Sequence, residues 1–158
     1  MSYEQLKLSN QICFPVYAAS RLIIREYQPY LEELGITYPQ YLVMMVLWEK
    51  DNQTVNDIGK KLILNTNTIT PLLKRLQKLG FIDRKRSGED ERKVFISLTP
   101  TGRDLQHKAA EIPERLVAGL MDSPMKAEDL MALKDHLYQV IDFLSSKKSS
   151  AGDNETGP

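Results

Sequence analysis

A mainly α-helical fold carrying one small β-hairpin is predicted for this chain, on two observations. Apolar residues recur at helical spacing along most of the sequence. Only between residues 81 and 98 does the period drop to two, on either side of a polar, glycine-containing turn. At 158 residues, 42% of them hydrophobic and 27% charged, the chain is long enough for one domain with a real core.

In the helix expected at 14–34, Val16, Tyr17, Ile23, Ile24, Tyr27, Tyr30, Leu31 and Leu34 carry the pattern. Pro15 lacks an N–H and suits the first turn, so Cys13 falls at or just before the helix N-terminus. Pro29 is expected to kink or end the regular part, and Gly35 closes the segment. Thr37 with Gln40 reads as a capping box for a second helix through Tyr41, Leu42, Met45 and Trp48. Thr54 with Asp57 repeats that logic for a short third helix, 55–62, buried through Val55, Ile58 and Leu62.

After a turn near 63–66, a fourth helix is expected at 67–79. Its stripe is Ile69, Leu72, Leu73, Leu76 and Leu79, with Gly80 after it. Strands 81–86 and 93–98 follow, the second turning Val94, Ile96 and Leu98 inward, around the polar loop 87–92. Thr99-Pro100 opens a further helix that Pro113 interrupts. Ser123-Pro124 opens a last one, with Leu130, Leu133, Leu137, Ile141 and Leu144 on one face. Residues 146–158 hold no hydrophobe beyond Ala151 and are expected to be a disordered tail.

Composition excludes several functions. No apolar run approaches the roughly 18 residues of a membrane span. No charged-then-apolar leader is visible, and one cysteine allows no internal disulfide, so a reducing cytoplasm is expected. His107, His136 and Cys13 lack metal-ligand spacing. No phosphate loop or nucleophile elbow appears. Neither a metal, a cofactor nor an enzymatic activity is expected.

Net charge is zero, but its distribution is uneven. Between Lys60 and Lys93 ten basic residues face four acidic ones, so that segment carries +6 and the rest −6. A basic segment in an otherwise acidic chain suits a phosphate-binding face, although a solvated helix face would look the same on charge alone. A short helix, a tight turn, a longer helix and a charged hairpin give the winged helix-turn-helix order. The N-terminal residues of the longer helix, Thr66, Asn67, Thr68 and Thr70, can donate, accept and touch a thymine methyl. Lys74, Arg75 and Lys78 follow toward phosphates. Arg84 and Arg86 on the first strand, with Arg92 beyond the tip, suit a minor groove.

Residues 65–76, Asn-Thr-Asn-Thr-Ile-Thr-Pro-Leu-Leu-Lys-Arg-Leu, resemble the recognition helix of MarR-type regulators. Gly80-Phe81-Ile82, the wing motif Asp90-Glu91-Arg92 and Leu98-Thr99-Pro100-Thr101-Gly102 match too, and the resemblance covers about 8–145. It adds Pro71 to the DNA-binding set and implies that Asp90 holds Arg92 for the minor groove. It implies a homodimer on a pseudo-palindromic double-stranded DNA operator. A single regulator domain, 1–145, would then have its DNA-binding part at about 54–98 and dimerisation helices at about 8–34 and 100–145.

The runs 10–21 and 35–42 resemble the organic-hydroperoxide-sensing branch of that family, in its one-cysteine type. This implies that Cys13 is oxidised, that Tyr17, Tyr27 and Tyr38 hold its thiolate, and that DNA is then released. A small thiol would cap the oxidised sulfur, or overoxidation would follow. One departure is visible: the branch usually has an acidic residue, a small residue and a glycine where this chain has Asn65, Thr66 and Asn67. The operator read by this end can therefore differ.

The chemistry is consistent with the resemblance. A thiolate attacks peroxide, and a helix N-terminus favours thiolate through its unsatisfied N–H groups. Cys13 and Tyr17, four residues apart, share one helix face. Tyr27 lies fourteen residues on, about 20 Å along a straight helix. If it meets the sulfur it must come from a second subunit across antiparallel first helices, and Tyr38 in the same way. Three other readings are a regulator released by a small aromatic ligand with Cys13 a bystander, a thiol peroxidase and a helical interaction module. The peroxidase would lack a resolving cysteine.

Overall fold

The computed structural model describes residues 3–90, 92–121 and 126–151. The chain falls into two compact units, Met1–Glu114 and Arg115–Pro158. In the first unit, two 3-10 turns precede α1 (Cys13–Leu34) and α2 (Tyr38–Glu49). Then come β1 (Gln53–Thr54), α3 (Val55–Leu62), α4 (Thr66–Lys78), β2 (Ile82–Arg86), β3 (Val94–Leu98) and α5 (Pro100–Ala109). Helix α6 (Ile112–Met121) begins in this unit, and α7 (Ala127–Ala151) belongs to the second.

Cys13 is the first helical residue of α1. Pro29 lies inside α1 and does not end it. Beyond it Leu31 and Leu34 are buried, which anchors the last turn to the core. Gly35 takes the left-handed conformation (φ 69°), and the Ile36 N–H reaches the Leu31 carbonyl at 3.1 Å, closing the helix. The Thr37–Gln40 capping box is formed, and the Thr37 N–H donates to Gln40 Oε1 at 2.8 Å. Helix α2 sits at the centre of the core: Val43, Met44 and Leu47 have no exposed surface. Burying each such side chain contributes about 1.5–3 kcal/mol. Ile58, Ile69, Leu73, Leu76, Ile82 and Ile96 close around it.

The sheet order is β1-β3-β2, all antiparallel, with Arg84 opposite Ile96 and Gln53 also opposite Ile96 on the other side. Strand β1 is two residues long, too short to leave an alternating pattern in the sequence. Helices α5 and α6 are separated at Ala110–Glu111, and Pro113 opens the second of them.

In the second unit, α7 runs six residues into the segment expected to be disordered. That segment has no hydrophobe beyond Ala151, but it also has no helix breaker before Gly152, and propagating a formed helix costs little. The proposed start of this helix at Ser123-Pro124, and residues 152–158, lie outside the described residues. Leu133, Leu137, Ile141 and Leu144 lie exposed along α7.

Candidate functional site

The DNA-facing half is assembled around α3 and α4. Helix α3 is capped by Thr54, whose hydroxyl accepts from the Asp57 N–H at 3.2 Å and donates to Asp57 Oδ2 at 2.6 Å. That bond holds the Asp57 carboxyl below the ordinary carboxylate range. The turn to α4 is tight. Ile63 is left-handed (φ 57°), the Leu64 N–H reaches the Gly59 carbonyl at 2.8 Å, and a Cβ on Gly59 would lie 2.9 Å from the Leu64 oxygen.

Helix α4 starts one residue earlier than expected because Asn65 caps it. Its Oδ1 accepts from the Thr68 N–H at 3.0 Å and from the Thr68 hydroxyl at 2.9 Å. A neutral amide thus performs the capping that an acidic residue can perform at the same position. Thr66, Asn67, Thr68, Pro71, Lys74, Arg75 and Lys78 are exposed, while Thr70 is half-buried. Pro71 has no N–H to give the Asn67 carbonyl one turn back, which leaves that oxygen without its helical donor on the exposed side.

At the wing, Asp90 does not pair with the Arg92 guanidinium. Its Oδ1 accepts from the Arg92 backbone N–H at 3.0 Å, fixing the chain just past the tip and leaving the side chain exposed. Ser87 Oγ accepts from the Glu89 and Asp90 N–H groups at 3.2 and 3.3 Å. Arg86 is exposed, and Arg84 is half-buried with its Nε buried and unpartnered. Glu91 lies outside the described residues.

Sequence reasoning missed the brace at the wing's root. Asp51, after α2, accepts from the Leu98 N–H at 2.8 Å, the Asn52 N–H at 2.7 Å and Arg103 Nη1 at 2.7 Å, while Arg103 Nη2 donates to the Leu98 carbonyl at 3.0 Å. Partial burial works to raise the Asp51 carboxyl. The two backbone N–H groups and the Arg103 guanidinium outweigh it and hold the carboxyl below its ordinary value. An acidic residue after a helix and an arginine fifty-odd residues later give no local signal.

The expected sensor residues are divided. Cys13 is exposed at the start of α1. Tyr17, also exposed, accepts a hydrogen bond from Arg21 Nη1 at 3.0 Å. Tyr27 and Tyr38 are brought together in the same chain, with ring centroids 5.0 Å apart, and Tyr41 joins them at 5.9 and 6.4 Å. Burial, with the neighbouring Tyr38 and Tyr41, raises the Tyr27 phenol to about 12; burial also raises Tyr38. An open groove of about 820 Å³ runs along α1 to the α1–α2 turn, lined by Phe14, Tyr17, Arg21, Leu22 and Tyr38 among others.

A short helix, a strained turn, a polar-tipped second helix and a braced, arginine-bearing hairpin define a winged helix-turn-helix regulator. The family described as "Transcriptional regulator SarA/Rot" matches residues 25–109. An organic hydroperoxide resistance transcriptional regulator of Bacillus subtilis is 47% identical over 145 residues, 92% of this chain and 97% of that protein. Among solved structures, reduced AbfR bound to DNA is 38% identical with a TM-score of 0.72, over 89% of this chain and 96% of that one. Overoxidized AbfR bound to DNA is also 38% identical, with a TM-score of 0.71 over 91% and 99%. AbfR is a protein of Staphylococcus epidermidis. The chain belongs to the MarR-type family of transcriptional regulators, in the branch of the organic hydroperoxide resistance regulators. It is a regulator and not an enzyme.

Proposed function

We propose that the chain is a dimeric repressor that holds a pseudo-palindromic operator while Cys13 is reduced and releases it once an organic hydroperoxide has oxidised Cys13. One observation carries this reading: the expected sensor parts are spread far along a single helix. Cys13 opens α1, and Tyr27, packed against Tyr38, lies about 20 Å along the same axis, beyond the reach of a tyrosine side chain. A second copy laid antiparallel along α1 closes the gap in both directions at once. The exposed apolar residues Phe14, Val16, Leu22 and Ile23 of α1, and those along α7, give such a dimer its buried surface. Phenols kept protonated by burial are the donors a thiolate needs.

The chemistry balances. The Cys13 thiolate attacks one peroxide oxygen; an S–O bond forms, the O–O bond breaks, and the two electrons lost by sulfur leave with the alkoxide, which takes a proton to become an alcohol. The sulfenic acid condenses with an external small thiol, forming S–S and releasing water. The cytoplasm, where thiols are kept reduced, is the setting in which such a switch resets. On DNA, Asn67, Thr68 and Pro71 face base edges, Lys74, Arg75 and Lys78 face phosphates, and Arg92 enters the minor groove.

The test compares wild type with Cys13→Ser on a duplex selected in vitro by the reduced protein. Both bind it when reduced, with affinity falling steeply with salt. Cumene hydroperoxide releases the wild type and leaves the variant bound. Release of both moves the switch away from Cys13. Release of neither, with the thiol shown to be oxidised, favours a regulator freed by a small ligand.

A further inference from the structure

The tyrosine cluster does not end at Tyr41. About two turns of α2 further on, Trp48 meets the Tyr41 ring edge-on, with centroids 6.1 Å apart. Its indole Nε1 then donates to the carbonyl of Gly102, in the first turn of α5, at 2.9 Å. An unbroken row of side chains thus leads from Tyr27 and Tyr38 to that turn.

That turn is the junction of both DNA-reading elements. The Gly102 N–H donates to Thr99 Oγ1 at 3.0 Å, and the same hydroxyl donates to the Gly80 carbonyl at 2.6 Å. The Thr99 N–H donates to the Phe81 carbonyl at 3.1 Å. Gly80 and Phe81 are in turn bonded to Gln77 and Leu76, the end of α4, at 2.9 and 3.1 Å. Thr99 directly follows Leu98, the end of β3. The fit leaves no slack: a Cβ on Gly102 would lie 2.0 Å from the Phe81 oxygen.

We propose that Trp48 is a positioning residue that transmits the state of the Tyr27–Tyr38 pair to the α5 turn, and through it to the recognition helix and the wing. The inference rests on the reading of Cys13 and the tyrosines as the sensor. An adduct on Cys13 moves the tyrosines that hold it. Tyr41 packs against both rings and Trp48 against Tyr41, so a shift at one end of the row is passed along it. The two-state element is the α5 turn, with the Trp48–Gly102 bond made or broken. When it breaks, the ends of α4 and β3 lose their common anchor.

Trp48 is the chain's single tryptophan, so emission reports the surroundings of this indole and of no other. The full-length wild type, Cys13→Ser and Trp48→Phe are treated with cumene hydroperoxide and titrated with a duplex selected in vitro by the reduced wild type. The expected result is a shift in Trp48 emission in the wild type and none in Cys13→Ser. Reduced Trp48→Phe, which keeps a ring but lacks the N–H, binds within about threefold of wild type, while its ratio of reduced to oxidised affinity falls about fivefold or more. If the wild type is oxidised and releases DNA with its emission unchanged, the relay is overturned and the sensor stands. If Trp48→Phe loses reduced affinity but keeps the ratio, Trp48 only supports the fold and the relay is again overturned. A peroxide-driven emission shift in Cys13→Ser equal to that of the wild type overturns the Cys13 reading and the relay with it. Should Trp48→Phe not fold, the wild-type emission decides alone.

Discussion

The two ends of α2 face opposite kinds of structure. Beyond its C-terminus, α3, α4 and the hairpin are finished within one chain: Ile58, Ile69, Leu73, Leu76, Ile82 and Ile96 are sealed, and the helix starts and wing tip are capped by their own residues. Beyond its N-terminus, α1 is unfinished. Phe14, Val16, Tyr17, Leu22 and Ile23 are exposed, and Cys13 lies about 20 Å along the helix from Tyr27. A reading head that must present fixed geometry to DNA is built to be rigid alone. In the proposed reading the sensor is completed only by a second copy, which would make its state and the pairing of the two heads one variable.

Four substitutions sharpen that contrast. Gly102→Ala pushes a methyl into the Phe81 carbonyl, within the finished half, and should cost about 3 kcal/mol or more in denaturant unfolding. A near-neutral result would mean that the α5 turn has slack. Leu137→Asp puts a carboxylate on the unpartnered stripe of α7 and should weaken the dimer by about 2 kcal/mol or more. In sedimentation the variant should run as one chain where the wild type runs as two, and an unchanged mass removes this stripe from the interface. Arg92→Ala should weaken operator binding by about 1–3 kcal/mol without altering stability or mass. Equal affinity in a footprinting titration takes the wing out of the reading head.

The smallest effect is expected at the brace. Asp51→Asn should lower stability by about 1 kcal/mol at neutral pH, since the group is partly solvated. Its folded-state carboxyl is held below the unfolded value, so the stabilisation is complete above the unfolded value and fades as pH falls through the folded one. Melting curves of wild type and variant should therefore begin to approach each other only below about pH 4, and meet once the pH is below the folded-state value. A difference that persists there points to packing, not charge.

Much of this was legible because it is local. Thr37–Gln40, Thr54–Asp57 and Thr99-Pro100 each announce a helix within four residues, and all three caps form. The hairpin is written in the alternation of Val94, Ile96 and Leu98. What escaped is either short or long-range. Strand β1 is two residues long, and Asp51–Arg103 and Trp48–Gly102 join partners more than fifty residues apart. Pro29 and the 146–151 segment misled for a common reason. A proline or a polar run weakens a helix locally, but neither ends one that is anchored on the far side or simply continued. In the site, the exposed residues of α4 follow from its stripe. The pairing of Tyr27 with Tyr38 does not, because it depends on how Gly35 folds α2 back against α1.

The crowding of Tyr27 against Tyr38 and Tyr41 has a consequence for what the molecule can hear. A phenol that surrenders its proton only near 12 is neutral at every acidity a living cell reaches. Were it to ionise at milder alkalinity, it would repel a thiolate and loosen the sensor with no peroxide present, a false alarm raised by base. Packing the ring out of water moves that ionisation still further from the acidity of a cell than it is for an ordinary phenol.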